Sequence, residues 1–351
     1  MKDLLHLTER AATTELVAEE IAAAATALLA ETEAEDAKAA FLKALSQRGE
    51  TPREIAAFVK QFLRVAVDPG IQAGELSGPM VDVCGTGGDK LEMFNVSTTV
   101  SFVLAGAGAR VVKHGNRAIT SKSGGADVLE ALGVDLMISP ERLRECLQQT
   151  GFGFLFAPLY HPAFKSVAAV RKRLASEGVR TIFNLLGPLL NPCRPPHQLI
   201  GVFSSGLVPV FAEILRELDR VSALVVYGKT GDGRGMDEIS VLDVTEAAEL
   251  RKGEILRFGM DLQGFEIGLC DLAELAGGDA EANAGTLTGI LDGSIGGGKR
   301  DMVRVNAAGA LLACGLAPTL EEGLEKASAS MDSGKALAAL HAVQRFFGAR
   351  A

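Results

Sequence analysis

The segment Gly85-Thr86-Gly87-Gly88-Asp89 follows a short apolar, β-prone run at residues 81–84 and precedes a helix expected to begin near Ser97. Glycines in such a turn let backbone N–H groups approach an anion closely, and a helix N-terminus adds its dipole. The same residues would also serve as plain loop, and they do not form the G-x-x-x-x-G-K-[ST] phosphate loop, which the chain lacks. The continuation Asn95-Val96-Ser97-Thr98-Thr99 sets an amide and three hydroxyls at the helix start. Ser97 there suits an N-cap as well as a ligand.

A second group, Lys113-His114-Gly115-Asn116-Arg117, stands at the C-terminal end of another strand-like run and leads through Ser121 to Gly124, Gly125 and Asp127. Ligands of open α/β sheets bind at strand C-termini, and five polar or permissive residues in a row are hard to explain as a solvated edge. A third loop runs from Gly228 to the adjacent carboxylates Asp237 and Glu238, a pair of hard oxygen donors suited to Mg²⁺ shared with a substrate phosphate. The turn Asn184-Leu-Leu-Gly187-Pro188-Leu-Leu-Asn191-Pro192 is apolar and rich in structure breakers, as a rigid pocket wall or a simple connection would be.

These groups need a scaffold, and the rest of the chain supplies one. Through about residue 68 it is rich in Ala, Leu and Glu. There Thr51, Pro52 and Glu54 read as N-cap, first-turn proline and capping-box acid, and Ile55, Phe58, Val59 and Phe62 fall on one helical face. Beyond residue 76, β-prone runs at 81–84, 110–113, 134–138, 152–156, 199–203 and 223–227 alternate with helical stretches, which predicts a mostly parallel sheet covered by helices. The expected fold is therefore α/β, with a small N-terminal helical domain (1–75) and a larger α/β domain (76–351), joined across residues 68–79. A helical pattern at 162–178, with Phe164, Val167, Val170 and Leu174 on one face, is expected to pack with the N-terminal helices and close a cleft.

Composition narrows the function. A chain of 351 residues with net charge −9 offers no broad cationic face for nucleic acid or anionic lipid, so phosphate binding must be local. Five scattered cysteines without a C-x-x-C pair argue against a disulfide framework or zinc site and fit a reducing cytoplasm. The N-terminus has no signal-peptide pattern, and the most apolar early run is half the ~20 residues that a bilayer span needs.

Taken in order, GTGGD, NVSTT, KHGNRAITSKSGGADVLEALG, HPAF with VRK, RTIFNLLGPLLNP, MDE, NAAGALLACGLA and DSGKAL resemble the anthranilate phosphoribosyltransferase family over essentially the whole chain. The resemblance implies the nucleoside phosphorylase/phosphoribosyltransferase fold, a cytoplasmic homodimer, two Mg²⁺ ions per subunit, and phosphoribosyl pyrophosphate and anthranilate as substrates, with no nucleic-acid or membrane partner. By the same resemblance Gly85, Gly88, Asp89, Asn95, Val96, Ser97, Thr98, Lys113, His114, Gly115, Asn116, Arg117, Ser121 and Gly125 bind phosphoribosyl pyrophosphate. Gly85, Asn116, Arg171 and Pro188 face anthranilate, and Ser97, Asp237 and Glu238 bind the metal. No residue is implied as nucleophile or general base, because an aniline nitrogen is already unprotonated at neutral pH.

The chain departs from the family pattern at three places. Met93 stands where a hydroxyl residue is common, Gly125 where serine is common, and the stretch between Arg171 and Pro188 is about three residues longer than usual. That extension leaves Arg173 and Arg180 as alternatives to Arg171 for the carboxylate. Two other readings share the architecture. A pyrimidine nucleoside phosphorylase-like enzyme would need a third domain for which the length leaves little room, and a non-catalytic nucleic-acid-binding relative fits poorly with an isoelectric point near 5.2.

Overall fold

The structure is a computed structural model that describes residues 3–118 and 122–348. Four helices open the chain: α1 (Leu4–Ala11), α2 (Ala18–Leu29), α3 (Glu35–Arg48) and α4 (Pro52–Arg64). The capping box at α4 is formed as the sequence predicts, with the Glu54 backbone N–H donating to Thr51 Oγ1 and the Thr51 N–H donating to Glu54 Oε2. Glu54 is fully buried, and Arg48 neutralises it at 2.6 Å. Residues 68–79 then cross to the sheet, held where Arg144 donates to the Pro69 carbonyl.

The sheet is built from β1 (Met80–Gly85), β2 (Arg110–Gly115), β3 (Phe152–Phe156), β4 (His197–Gly201), β5 (Ser222–Lys229), the short β6 (Gly235–Met236), β7 (Thr245–Arg251) and β8 (Glu254–Met260). Its order is β3-β2-β1-β4-β5-β7-β8, with β6 paired to β5. The first five strands in that order are parallel, and β6, β7 and β8 pair antiparallel. Because strand side chains alternate faces, Val81, Val83, Val111, Phe154, Leu199, Leu224 and Val226 enter one core, while Ile200, Val202, Ala223 and Val225 enter another.

The first core is covered by α5 (Val96–Gly106) and by α12 to α15 (Ala280–Asp292, Gly297–Ala313, Leu320–Asp332, Lys335–Phe346), with α6 (Gly125–Ala131) alongside. A smaller cluster on the opposite face joins Val112 and Leu155 to Leu143 and Leu147 of α7 (Pro140–Thr150). The second core contains α11 (Leu207–Glu217) and the apolar faces of α1 to α4. After the single turn α8 (Ala157–Tyr160), α9 (Lys165–Ser176) adds Val167, Val170 and Leu174 to that core, as its periodicity predicts, and α10 (Phe183–Leu186) adds Phe183 and Leu186. Buried Lys38 ties these segments, donating to the Ala30 carbonyl at 2.6 Å and the Ser166 carbonyl at 3.0 Å.

Three expectations change. Residues 134–138 form no strand: Val134 and Leu136 are buried, but the segment follows α6 as unpaired chain and β3 ends the sheet. The fourth parallel strand begins at His197, two residues before the predicted start. The hairpin β7–β8 has no counterpart among the predicted runs. Its turn is Lys252-Gly253, both at positive φ (53° and 80°) as a two-residue hairpin turn demands.

Candidate active site

Strand order reverses at β1. The chain moves from β1 outward to β2 and β3, then returns to β4 on the other side, so the loops after β1 and β4 diverge and leave a crevice at their carboxyl ends. Thr86 bridges it, donating its N–H to the Gly201 carbonyl at 2.9 Å and accepting from the Phe203 N–H at 3.0 Å.

Asp237 and Glu238 lie across the ends of these strands, and three glycines make the room. A Cβ at Gly85 would overlap the Asp237 carboxylate, one at Gly201 the Asp237 carbonyl, and one at Gly228 the Glu238 carbonyl. Asp237 Oδ2 accepts from the Gly87 N–H at 2.7 Å, in a turn where Gly87 and Gly88 both take positive φ. Burial, then the charge of Asp89, lifts the Asp237 carboxyl to about 7. Burial, then Asp237, pushes Glu238 well above its usual range, with Lys113 opposing.

Lys113 is the nearby cation. Its ammonium is buried and donates to the Val83 carbonyl at 2.6 Å and to Ser97 Oγ at 3.0 Å. Desolvation lowers its pKa, while Asp82 and Glu238 counteract it. Ser97 lies in the first turn of α5 but does not cap it, since the N-cap position belongs to Asn95. Asn95 bonds through both ends of its amide: Nδ2 to the Ser123 carbonyl at 3.3 Å, and Oδ1 from Asn283 at 2.8 Å. Val96 and Thr98 are buried beside them, and a Cβ at Gly125 would stand 3.1 Å from Thr98 Oγ1, so the glycine leaves that hydroxyl its space.

The remaining predicted residues spread outward. Gly115 ends β2 against the Phe154 ring, and Asn116 Oδ1 accepts from the Arg117 N–H. Arg117 itself turns away, paired with Glu130 and over the Phe156 ring. Ser121 lies outside the described residues. His114 packs edge-on to His161, ring centroids 5.3 Å apart, and burial, then His161, depresses it to about 3. His161 contacts Phe164, which contacts Phe183 and Phe62, so an aromatic series runs from the end of β2 to α4.

Arg171 stands over the Phe183 ring of that series at 4.9 Å. Burial holds its pKa down, and no carboxylate pairs with it among the described residues. Arg173 is instead bound to Asp36 at 2.8 Å, on the outer side of α9. Arg180 is exposed over Phe203. Pro188 is buried, its carbonyl accepting from Gln198 at 3.1 Å.

Sequence reading missed a buried polar layer under the site. Asp82 Oδ2 accepts from Asn191, which also donates to the Val112 carbonyl. Gln198, the register partner of Asp82, bonds Arg220. Their positions are far apart in the chain, and the only signal was a lone acid inside an apolar strand.

A divalent cation suits the acid cluster. Among the described residues no three His, Cys, Asp or Glu side chains form a closed metal cage. Mg²⁺, however, keeps waters and shares substrate oxygens, so it needs few protein ligands. Asp89, Asp237 and Glu238 repel one another, with Lys113 as the cation acting on Glu238. A cation held by Asp237, Glu238 and the Ser97 hydroxyl would relieve that repulsion.

Residues 77–337 match the family model described as glycosyl transferase family, a/b domain. Among curated proteins the chain is 46% identical over 301 residues to the anthranilate phosphoribosyltransferase of Anaeromyxobacter sp. (strain K), covering 85% of this chain and 84% of the relative. Its fold is similar to the crystal structure of anthranilate phosphoribosyltransferase from Thermus thermophilus, with TM-score 0.88, 38% identity, and 98% and 99% of the two chains covered. It is also similar to the Saccharomyces cerevisiae anthranilate phosphoribosyltransferase in complex with PRPP and Mg, with TM-score 0.84, 27% identity, and 98% and 97% covered. Among the described residues no helix is long and apolar enough to cross a membrane.

Proposed function

Because the chain belongs to the anthranilate phosphoribosyltransferase family, we propose that the crevice at the ends of β1, β2, β4 and β5 is where it carries out that family's reaction. The chain is a Mg²⁺-using glycosyltransferase of tryptophan biosynthesis. It transfers the phosphoribosyl group of phosphoribosyl pyrophosphate to the anthranilate amine and releases pyrophosphate. The observation that carries the site assignment is the convergence of Lys113, Ser97, Asp89, Asp237 and Glu238 from four chain segments on one switch point.

In the reaction the amine nitrogen forms a bond to C1 of the ribose as the C1–oxygen bond to pyrophosphate breaks. The pyrophosphate keeps the bonding electrons, and the surplus N–H proton passes to solvent. Positive charge develops at the ribosyl centre, as in glycosyl transfer generally. Lys113 and the backbone N–H groups of Gly88 and Asp89 supply fixed positive ends to the phosphates. Arg171 grips the anthranilate carboxylate while Pro188 and the aromatic series wall the ring, bringing the amine to C1. Mg²⁺ supplies charge neutralisation of the departing pyrophosphate, held by Asp237, Glu238 and Ser97, and we assign two ions per subunit.

The helical segments 1–75 and 162–178 form the anthranilate-side body of a cytoplasmic homodimer in this reading. The acidic charge and five free cysteines support the compartment. Loss of anthranilate fluorescence on adding phosphoribosyl pyrophosphate and Mg²⁺ tests the reaction. Persistence of the fluorescence with folded protein would overturn it.

A further inference from the structure

Asn306, in the middle of α13, is fully buried and uses its whole amide on backbone groups. Its Oδ1 accepts from the Ile239 N–H at 2.8 Å, and its Nδ2 donates to the Ile239 carbonyl at 2.9 Å and to the Met302 carbonyl at 2.9 Å. Both polar groups of one loop residue are thus gripped by one side chain, and that residue directly follows Glu238. Asparagine alone carries a donor and an acceptor at this reach.

One turn along α13, Gly309 leaves space for the Ile239 side chain, since a Cβ there would overlap Ile239 Cδ1. The same loop rests on Gly201 and Gly228, which leave room for the Asp237 and Glu238 carbonyls. Without Asn306 the 237–239 backbone would keep its glycine floor and lose its ceiling. A buried amide costs desolvation unless satisfied, and here every bond but one goes to the residue beside the acid pair.

We propose that Asn306 is a positioning residue for Asp237 and Glu238, acting through the backbone of Ile239 to hold the two carboxylates in the geometry that binds the divalent cation. That role rests on the metal assignment of those acids given above. The Asn306 amide itself touches neither substrate nor metal.

The test compares Asn306→Ser with Leu311→Ala, a fully buried position on the same helix that packs into the sheet core. Serine can bond the Met302 carbonyl one turn back but cannot reach Ile239. Mn²⁺ binding in the presence of pyrophosphate is followed by electron paramagnetic resonance, and half-saturating Mg²⁺ by turnover, both below the melting transitions. Loss of an outer partner of a metal ligand weakens metal binding by about tenfold or more. Asn306→Ser should therefore weaken Mn²⁺ by that factor with the anthranilate KM within about twofold, while Leu311→Ala lowers the melting temperature and leaves Mn²⁺ affinity unchanged. Unchanged affinity in Asn306→Ser, or equal loss in both variants, overturns the positioning role alone. Unchanged affinity in the Asp237→Asn/Glu238→Gln double variant would remove the acids from the metal site and the proposal with them.

Discussion

Lys113 Nζ lies 3.0 Å from Ser97 Oγ, joining the end of β2 to the first turn of α5. The contact puts a cation from a strand and a hydroxyl from a helix on one point, where a phosphate-bearing substrate can use both. Lys113→Ala should raise the apparent constant for phosphoribosyl pyrophosphate at least tenfold, equivalent to about 1.4 kcal/mol, and that for anthranilate far less. Steady-state kinetics with each substrate varied decide it, and equal effects would contradict the assignment.

Asp237 and Glu238 are half-buried and mutually repelling, so their ionised forms oppose folding in the absence of a cation. Raised carboxyl pKa values mean that removing the charge at neutral pH stabilises the fold. The Asp237→Asn/Glu238→Gln variant should melt higher than the parent in metal-free buffer while losing Mg²⁺-dependent turnover. A lower melting temperature would show that the bonds the acids accept from the Gly87 and Ser97 N–H groups outweigh their repulsion.

Arg171 has only the Phe183 ring for a neighbouring partner among the described residues, whereas Arg173 is occupied by Asp36. Arg171→Lys should raise the anthranilate constant about tenfold, because an ammonium cannot replace a two-pronged guanidinium contact. Arg173→Lys should leave it unchanged. The reverse pattern, or an effect confined to Arg180→Lys, would move the carboxylate to another arginine.

Burial lifts Asp82 from 3.8 to about 6, against the opposing influence of Lys113 and Asn191. The folded protein then holds a proton that the unfolded chain releases, so stability falls as pH rises from about 4 to about 6. At roughly 1.4 kcal/mol per unit the penalty above pH 7 is about 3 kcal/mol. Asp82→Asn should remove that share of the slope and leave the share due to Asp237 and Glu238: variant and parent approach one another near pH 4, and the variant gains as pH rises. Melting curves that stay parallel from pH 4 to 7 would exclude Asp82 as the titrating group.

Much of the scaffold was legible because its signals are local. The Thr51-Pro52-Glu54 start of α4, the buried stripe of α9 and the strands ending at Gly85 and Gly115 each declare themselves within a dozen residues. The β-prone run at 134–138 misled, since it reports burial and not a neighbouring strand; Val134 and Leu136 are in the core, and the Val134 N–H donates back to the Leu129 carbonyl. In β7 and β8 charged residues such as Glu249 and Arg257 dilute the apolar pattern of strands near the sheet edge. At the site, glycines and hydroxyls next to strand ends were readable. Gly201, Gly228, Asn283 and Asn306 were not, because their purpose exists only where the fold brings distant segments against Asp237 and Asn95.

The second core draws on two stretches of chain that the first three strands separate. Helix α4 ends at Arg64, and Phe164, whose ring packs on Phe62, stands just before α9 at Lys165, about a hundred residues later. At a synthesis rate of about 5–20 residues per second, the nascent helices wait roughly 5–20 s for α9 to be made. During that interval Phe62 lacks the Phe164 and Phe183 rings that cover it in the finished protein, while Phe58 already has Phe41 of α3. The N-terminal helices thus complete their apolar face only once residues 164–183 have been made.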